Sequence, residues 1–379
     1  MSILLLIIGL LLFVGLVVIH EFGHFIVARR NGVEVEEFGI GFPPRAWSRK
    51  TRGGFLFTLN WLPIGGFVKL KGEHDADTEP GAFGAASLGV KTKIMLAGVV
   101  MNLLAAFVLL TIVAWAGMPQ LIDNQFTVKS DTKVMKNDVL AGYVEPGSPA
   151  AKAGIQQRDR LVGYRQGDDT VSKAVTPLKD AAELPKLTKA NAGKHLSIVY
   201  ERDGQMRTAD ITLRSTQEVT ASQKSEKPKG YLGVSPTEFT LLRSTWSAPV
   251  VAAGLIKQFT ILTFQGLGTA VGALFHGDTA KASEQVSGPV GIVVLLKDGS
   301  LLGYQFVLLI IAIISLTLAL MNVLPIPALD GGRLFLMLIS RLGGKPLSED
   351  MEERIVGASF MLLLVLVVLI TVVDVKRFF

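Results

Sequence analysis

From Ile3 to Ala28 every residue is apolar or glycine except at one place, where His20, Glu21 and His24 interrupt the run. The stretch is long enough for a spanning helix, which needs about 20 apolar residues. Ionisable side chains inside such a helix are costly and point to function by default. On a helix, the i and i+4 spacing sets His20 and His24 on one face, where the two imidazoles can grip a single zinc ion. Glu21 stands beside them. A carboxylate there can take a proton from zinc-bound water and later give it to a leaving amine. The bland alternative is a pair of structural histidines neutralised by Glu21.

Composition supports a membrane setting, with 49% hydrophobic against 18% charged residues. Cysteine is absent and only five histidines occur, so a metal site must draw on His, Asp or Glu. The formal charge of +6 matches basic loops beside membrane helices, and no basic stripe interleaved with aromatics suggests a nucleic-acid partner. Further apolar runs cover about Ile94 to Trp115, Leu301 to Val323 and Ile355 to Val373. Arg29 and Arg30 follow the first run rather than precede it, so it is expected to be a retained anchor with its N-terminus outside. Four spans then place the loop bearing Arg45, Arg49, Lys69 and Lys93 in the cytoplasm, together with the loop bearing Arg333, Arg341, Lys345 and Arg354. Ala248 to Phe275 is also apolar, broken by Lys257 and Gln258. A fifth span there would send Asp330 to the face opposite His20 and His24, so this segment is expected to lie on the outer surface as an amphipathic helix.

Between the second and third runs the composition turns polar. Gly142-Tyr-Val-Glu-Pro-Gly-Ser-Pro-Ala-Ala-Lys-Ala-Gly154, followed by Gln156 to Gly163, predicts strand, turn, short helix and strand. His195–Arg202 and Met206–Leu213 predict a hairpin closed by Asp203-Gly204. The insert resembles a PDZ domain of the bacterial type. Such domains bind extended peptides by adding a strand to a sheet edge; a spacer domain without a peptide partner is the alternative.

A catalytic zinc usually has three protein ligands. His74, His195 and His276 fall in polar or interfacial stretches. Asp330, in Asn322-Val-Leu-Pro-Ile-Pro-Ala-Leu-Asp-Gly-Gly332, follows the third run on the side that four spans assign to His24. Pro325 and Pro327 stop a helix and Gly331 and Gly332 permit a bend, so the chain can turn a carboxylate back toward the metal. The favoured ligand set is His20, His24 and Asp330.

These stretches, with Phe38-Gly-Ile-Gly-Phe42, Gly65-Gly-Phe-Val-Lys69 and Val286-Ser-Gly-Pro-Val-Gly-Ile292, resemble the site-2 protease family of intramembrane zinc metalloproteases over nearly the whole chain. The likeness is greatest to its bacterial sigma-E-regulating members, here with room for a single PDZ domain. It implies Zn2+ on His20, His24 and Asp330 with Glu21 as acid-base. It also implies regulated cleavage of single-span membrane proteins, such as anti-sigma factors, and clearance of remnant signal peptides. Gly98-Val-Val-Met-Asn102 lacks the proline usual in the family's second span, so only Asn102 carries over, and it can instead bond a neighbouring helix.

A membrane helix hides its scissile carbonyls in its own hydrogen bonds. Phe55–Leu70 is expected to form a hairpin dipping into the membrane, with an edge near Gly65, Gly66 and Phe67 available to an extended substrate, or else to act as a plain cover. Asn322 offers a donor and an acceptor for the same task.

The expected fold is an α-helical polytopic membrane protein with four transmembrane helices, a cytoplasmic membrane-associated β-hairpin and an extracytoplasmic α/β PDZ-like domain. In order, these are a first transmembrane helix over 1–28, a cytoplasmic loop over 29–93 and a second helix over 94–117. The outer domain over 120–245 and an interfacial segment over 246–300 follow. A third helix over 301–332, a cytoplasmic loop over 333–354 and a fourth helix over 355–379 complete the chain. The expected location is the bacterial inner membrane, and the expected partners are lipid, membrane-spanning substrates and a peptide at the PDZ-like domain. Two rival classes remain at this level. A PDZ-bearing membrane scaffold with a structural or vestigial zinc site would not need Glu21, and a metal transporter would need mainly the ligands.

Overall fold

The computed structural model describes residues 2–166, 175–224, 228–344 and 347–379; Lys345, assigned above to a cytoplasmic loop, lies outside them. The chain forms two compact units. The first comprises Met1–Met118, Asn124–Asp131 and Ser244–Phe379, and the second comprises Pro119–Asp123 and Thr132–Arg243.

The first unit begins with helix α1 (Ser2–Arg30), apolar apart from His20, Glu21 and His24 until its last turn, where Arg29 and Arg30 meet the negative end of the helix dipole. Strands β1 (Val35–Lys50) and β2 (Leu56–Leu70) then form an antiparallel ribbon. The ribbon folds back on itself. Phe38 pairs with Val68 on one side and Phe57 on the other, and Thr58 pairs with Gly39 and Ser48. Four segments therefore lie side by side in the order 66–70, 35–40, 56–59 and 45–50, leaving 66–70 at one edge. Helix α2 (Leu88–Ala116) is opened by the Ser87 side chain accepting from Val90 N–H and ends at Gly117, whose φ of 125° favours glycine.

The second unit is built on a sheet of β3 (Met118–Pro119), β4 (Lys133–Val144), β5 (Arg160–Gln166), β6 (Thr176–Pro177), β7 (His195–Arg202), β8 (Gln205–Thr212) and β9 (Val234–Arg243). Its order is β3-β9-β4-β5-β7-β8, with β6 beside β5. The short helices α3 (Pro149–Lys152), α4 (Glu183–Ala190) and α5 (Thr216–Ser222) join these strands. Asp203 and Gly204 turn β7 into β8 with φ of 54° and 77°, the left-handed pair that a two-residue hairpin loop requires. Leu161, Leu184, Leu196, Ile198 and Ile211 fill the core. Asp159 is buried beside it and takes hydrogen bonds from Arg202 Nε at 2.7 Å and a terminal guanidinium nitrogen at 2.6 Å.

Returning to the first unit, the chain forms α6 (Ala248–Phe275), α7 (Thr279–Glu284), α8 (Pro289–Leu302), α9 (Tyr304–Val323), α10 (Asp330–Leu342) and α11 (Glu349–Phe378). Helices α1, α2, α6, α9 and α11 are each long and apolar enough to cross a bilayer. The sequence reading expected four spans and treated 248–275 as interfacial; the structure makes that segment a continuous helix of 28 residues, so length and composition do not separate it from the others. Leu362, Val365, Val368 and Leu369 of α11 are exposed, and Asp374 is its only buried residue among those described. Such a surface needs lipid around it.

Several polar groups in the apolar helices are bonded to distant parts of the chain. Gln258 Oε1 accepts from Phe126 N–H at 2.9 Å and its Nε2 donates to Asn124 C=O at 2.8 Å, which explains a glutamine within α6. Asp374 Oδ2 accepts from Gly288 N–H at 2.9 Å and Gly291 N–H at 2.7 Å, tying the first turn of α8 to the far end of α11. Asp131 joins the approach to α2's far end to the start of α6, accepting from Ser247 and Thr245 through hydroxyls and backbone N–H groups. Ser247 and Thr245 hold the Asp131 carboxyl well below the usual carboxylate range.

Two outcomes are expected. Arg202→Met leaves Asp159 buried and unpaired, which costs about 3 kcal/mol; limited proteolysis of the full-length protein in detergent should open residues 132–243 first. Asp131 has a depressed folded pKa, so its stabilising effect is present above the ordinary value of about 3.9 and is lost as pH falls through the folded value. The melting-temperature gap between wild type and Asp131→Ala should hold at neutral pH and narrow only in strongly acidic buffer.

Candidate metal centre

His20 and His24 lie on the buried face of α1, with ring centroids 4.9 Å apart and Nε2 atoms 3.2 Å apart. Asp330, at the first turn of α10, brings Oδ2 to 3.0 Å from His20 Nε2 and 3.3 Å from His24 Nε2. The three atoms thus form a near-equilateral triangle. Ligands bound tetrahedrally to zinc at about 2.0–2.1 Å sit about 3.3–3.4 Å from one another, so the triangle has the right size.

The hydrogen bonds behind the triangle bear on which atoms keep a lone pair. His24 Nδ1 lies 2.7 Å from the Ile94 carbonyl, which can only accept, so Nδ1 carries the proton and the neutral ring's Nε2 presents a lone pair. His20 Nδ1 lies 3.3 Å from the Asn102 side-chain amide, whose own Oδ1 is buried without a partner. Turning that amide over puts Oδ1 on the ring nitrogen, satisfies the orphan and leaves His20 Nε2 with its lone pair as well. Asp330 Oδ2 is likewise buried with no hydrogen-bond donor. Three electron-pair donors converging without a proton between them suit a cation, and two imidazoles with one carboxylate suit zinc.

Close backbone packing makes room for this arrangement. A Cβ on Gly98 of α2 would lie 2.5 Å from His20 Cε1 and 2.5 Å from His24 Nε2. One on Gly23 of α1 would lie 2.6 Å from the Ala97 carbonyl oxygen. The glycine inside the His-Glu-Phe-Gly-His run therefore sets how near α2 comes, and Gly98 gives the imidazoles their space. Gly331 and Gly332 act similarly beneath Asp330, where a Cβ would fall 2.3 Å from Val323 O and 1.9 Å from Ile326 O. Only glycines let the chain double back between α9 and α10.

Glu21, His24 and Asp330 border one cavity of about 110 Å³, closed by Val68 and Leu70 of β2, Glu73 and Arg333. The space has room for several waters. Gly66 lies over Glu21, with a built Cβ 3.4 Å from Glu21 Cγ.

The structure divides the residues expected to meet a substrate. Gly66 is beside Glu21, Gly65 within β2 has φ of 93° and a Cβ there would strike the Phe42 ring, and the Phe67 ring packs over Gly39. Asn322 donates to Leu318 C=O of its own helix at 3.0 Å. Asn102, the second-span residue carried over by resemblance as a substrate contact, is buried beneath His20, and Ser315 of α9 donates to its carbonyl at 2.8 Å. Sequence reasoning missed Gly98 as a spacing residue, although its position four residues before Asn102 was visible.

An α-helical membrane protein carrying this His-His-Asp triangle with an adjacent glutamate has the features of a zinc metalloprotease. Comparison with known proteins agrees. The sequence profile described as Peptidase family M50 matches residues 8–366, and the chain belongs to that family, the site-2 proteases. A protein of Clostridium acetobutylicum described as a candidate zinc metalloprotease is 32% identical over 371 residues, covering 97% of this chain and 96% of the relative. The zinc metalloprotease RasP of Geobacillus kaustophilus is 25% identical over 452 residues, covering 98% of this chain and 97% of the relative. The chain is a multi-pass membrane metalloprotease similar to the RseP-like members, and its metal is zinc.

Gly98→Ala should lose most of its zinc, measured as metal per chain in purified protein. Gly89→Ala, in the same helix with open space around it, should retain it.

Proposed function

We propose that the chain is an intramembrane zinc endopeptidase carrying out regulated proteolysis of single-span membrane proteins, with anti-sigma factors and remnant signal peptides as its substrate class. The observation that carries this reading is the sharing of one cavity by Glu21, His24 and Asp330, with the edge segment 66–70 of β2 forming its wall. His20, His24 and Asp330 are the proposed ligands. Zinc held there supplies Lewis acidity toward the scissile carbonyl and acidifies the attacking water. Glu21 takes the proton from that water and returns it to the leaving amine nitrogen. Asn102 and the Ile94 carbonyl orient the imidazoles from behind.

A helical substrate has to become extended before its carbonyl can be reached, and its freed backbone groups then need partners. Segment 66–70 is paired with a strand, 35–40, on one side only; on its other side Leu70 N–H is held by Glu73, a bond that a strand added alongside Glu21 would replace. Asn322, at the end of α9, is a second proposed contact for the extended chain. Phe42, Trp47, Trp61 and Leu62 are exposed on the same ribbon, which suits immersion at the membrane surface.

Four of the five apolar helices are proposed to span a bacterial inner membrane, with the metal near the cytoplasmic side and the second unit, a proposed PDZ-like peptide-binding domain, outside. Helix α6 begins where Ser244 N–H meets Ala114 C=O, sixteen residues or about 24 Å along α2 from Gly98. After α6 and α7 the chain reaches Gly288, bonded to Asp374, which is twenty-two residues or about 33 Å along α11 from Glu352. Glu352 contacts Arg333 near the metal. Both ends of the 248–288 stretch thus attach to helix ends away from the proposed metal, which supports the surface-helix reading over a crossing one.

Cleavage of a single-span substrate by wild type and Glu21→Gln, at equal zinc content, tests the reading. Loss of activity by about 10²-fold or more with zinc retained is expected; unchanged cleavage would exclude Glu21 as the acid-base.

A further inference from the structure

The sequence reading set His74 aside as a residue of a polar loop, but the fold gives it company. The segment 71–87, between β2 and α2, brings His74 against the first turn of α11. His74 Nε2 lies 3.4 Å from Glu349 Oε1 and 3.7 Å from Glu353 Oε1, and these three donor atoms fall within 4.8 Å of one another. The two glutamates are four residues apart, one turn of α11, and so share a face. The separations from Nε2 are close to the roughly 3.4 Å between two ligands of a tetrahedral zinc.

Charge argues for a dication there. A third carboxylate, Glu352, is already engaged, accepting from Asp75 N–H at 3.2 Å and facing Arg333 at 3.8 Å. Among the described residues, Glu349 and Glu353 form ion pairs with His74 alone. One imidazolium would leave two carboxylates undercompensated, whereas a divalent ion balances both with the ring neutral. Neither carboxylate oxygen makes a geometrically proper hydrogen bond to the ring, and His74 Nδ1 is buried without a partner, 3.8 Å from Glu352 Oε2. A cavity beside His74, Glu353 and Phe360 leaves room for water to complete the coordination.

We propose that His74, Glu349 and Glu353 bind a second divalent transition-metal ion of the zinc class, separate from the catalytic centre. Its effect follows from the chain around it. Glu73, next to His74, borders the catalytic cavity and accepts from Leu70 N–H at 2.8 Å; the same loop is held to α2 and α10 by Asp75, which pairs with Lys91 and Arg341. Glu352 of α11 already accepts from Asp75 N–H, and metal at His74 adds a second link to α11, so occupancy fixes the wall of the catalytic cavity more firmly to the last helix.

The test is zinc stoichiometry of full-length protein in detergent, stripped with chelator and dialysed against Zn2+. Wild type should hold two ions. Glu353→Gln, Glu349→Gln and His74→Ala should each hold one, with the second site weakened by about tenfold or more. Glu349 and Glu353 are exposed, so their amide variants keep the fold, and a melting curve checks this. His24→Ala should also hold one ion, and Co2+ bound to that variant should show four-coordinate absorption that disappears when Glu353→Gln is added. A single ion in wild type, or two ions in Glu353→Gln and His74→Ala, would overturn the proposal. Two ions in His24→Ala would count against the catalytic ligand set instead, which keeps the two failures apart.

Discussion

Two imidazoles on an otherwise apolar helix must each be satisfied on both ring nitrogens, and much of the first unit is arranged to do so. The outer nitrogens are bonded by α2, through the Ile94 carbonyl and Asn102. That requires α2 to lie closer to α1 than ordinary side chains permit, hence Gly23 facing Ala97 and Gly98 facing the imidazoles. Helix α9 in turn braces α2 through Ser315 on the Asn102 carbonyl. Small residues at the crossing and polar side chains as bridges are how helices associate without a hydrophobic driving force between them.

The remaining donor enters from a break in the helical pattern. Between Val323 and Asp330 the chain leaves α9, turns through two prolines and starts α10, and its backbone groups are met locally by Leu324 N–H to Met321 C=O and Leu329 N–H to Ile326 C=O. Irregular backbone near a membrane is tolerated where protein covers it. Gly331 and Gly332 allow that cover to close, because any Cβ there would overlap the carbonyls of 323 and 326. The bend and the placement of Asp330 are therefore one feature: without the glycines Asp330 would point elsewhere.

How much of this could be read in the sequence depended on how local the signal was. The His-Glu-Phe-Gly-His run, the apolar helices and the Asp203-Gly204 hairpin follow from periods and turn chemistry within a few residues. Asp330 was reachable because proline and glycine mark a bend wherever they occur. Gly98 was not, since nothing local distinguishes a glycine that admits an imidazole from one, such as Gly89, with open space around it. The double pairing of residues 35–40 was hidden for a similar reason: a two-strand pattern fixes alternation but not where a long ribbon bends onto itself. Helix α6 shows the limit of composition, because its length and apolarity do not distinguish it from the other four apolar helices.

The ribbon's fold also bears on the proposed chemistry. Had β1 and β2 stayed a simple two-stranded hairpin, both faces of the pair would end in similar free edges, and neither would be fixed against α1. Folding back consumes one side of 35–40 with 56–59 and leaves 66–70 as the edge lying over Glu21. A chain added there would run past a carboxylate and a metal triangle that share a cavity with room for only a few waters. Extended substrate, base and water then meet through a single strand edge, and a substrate that remained helical could not use it, because its backbone groups would already be bonded within its own helix.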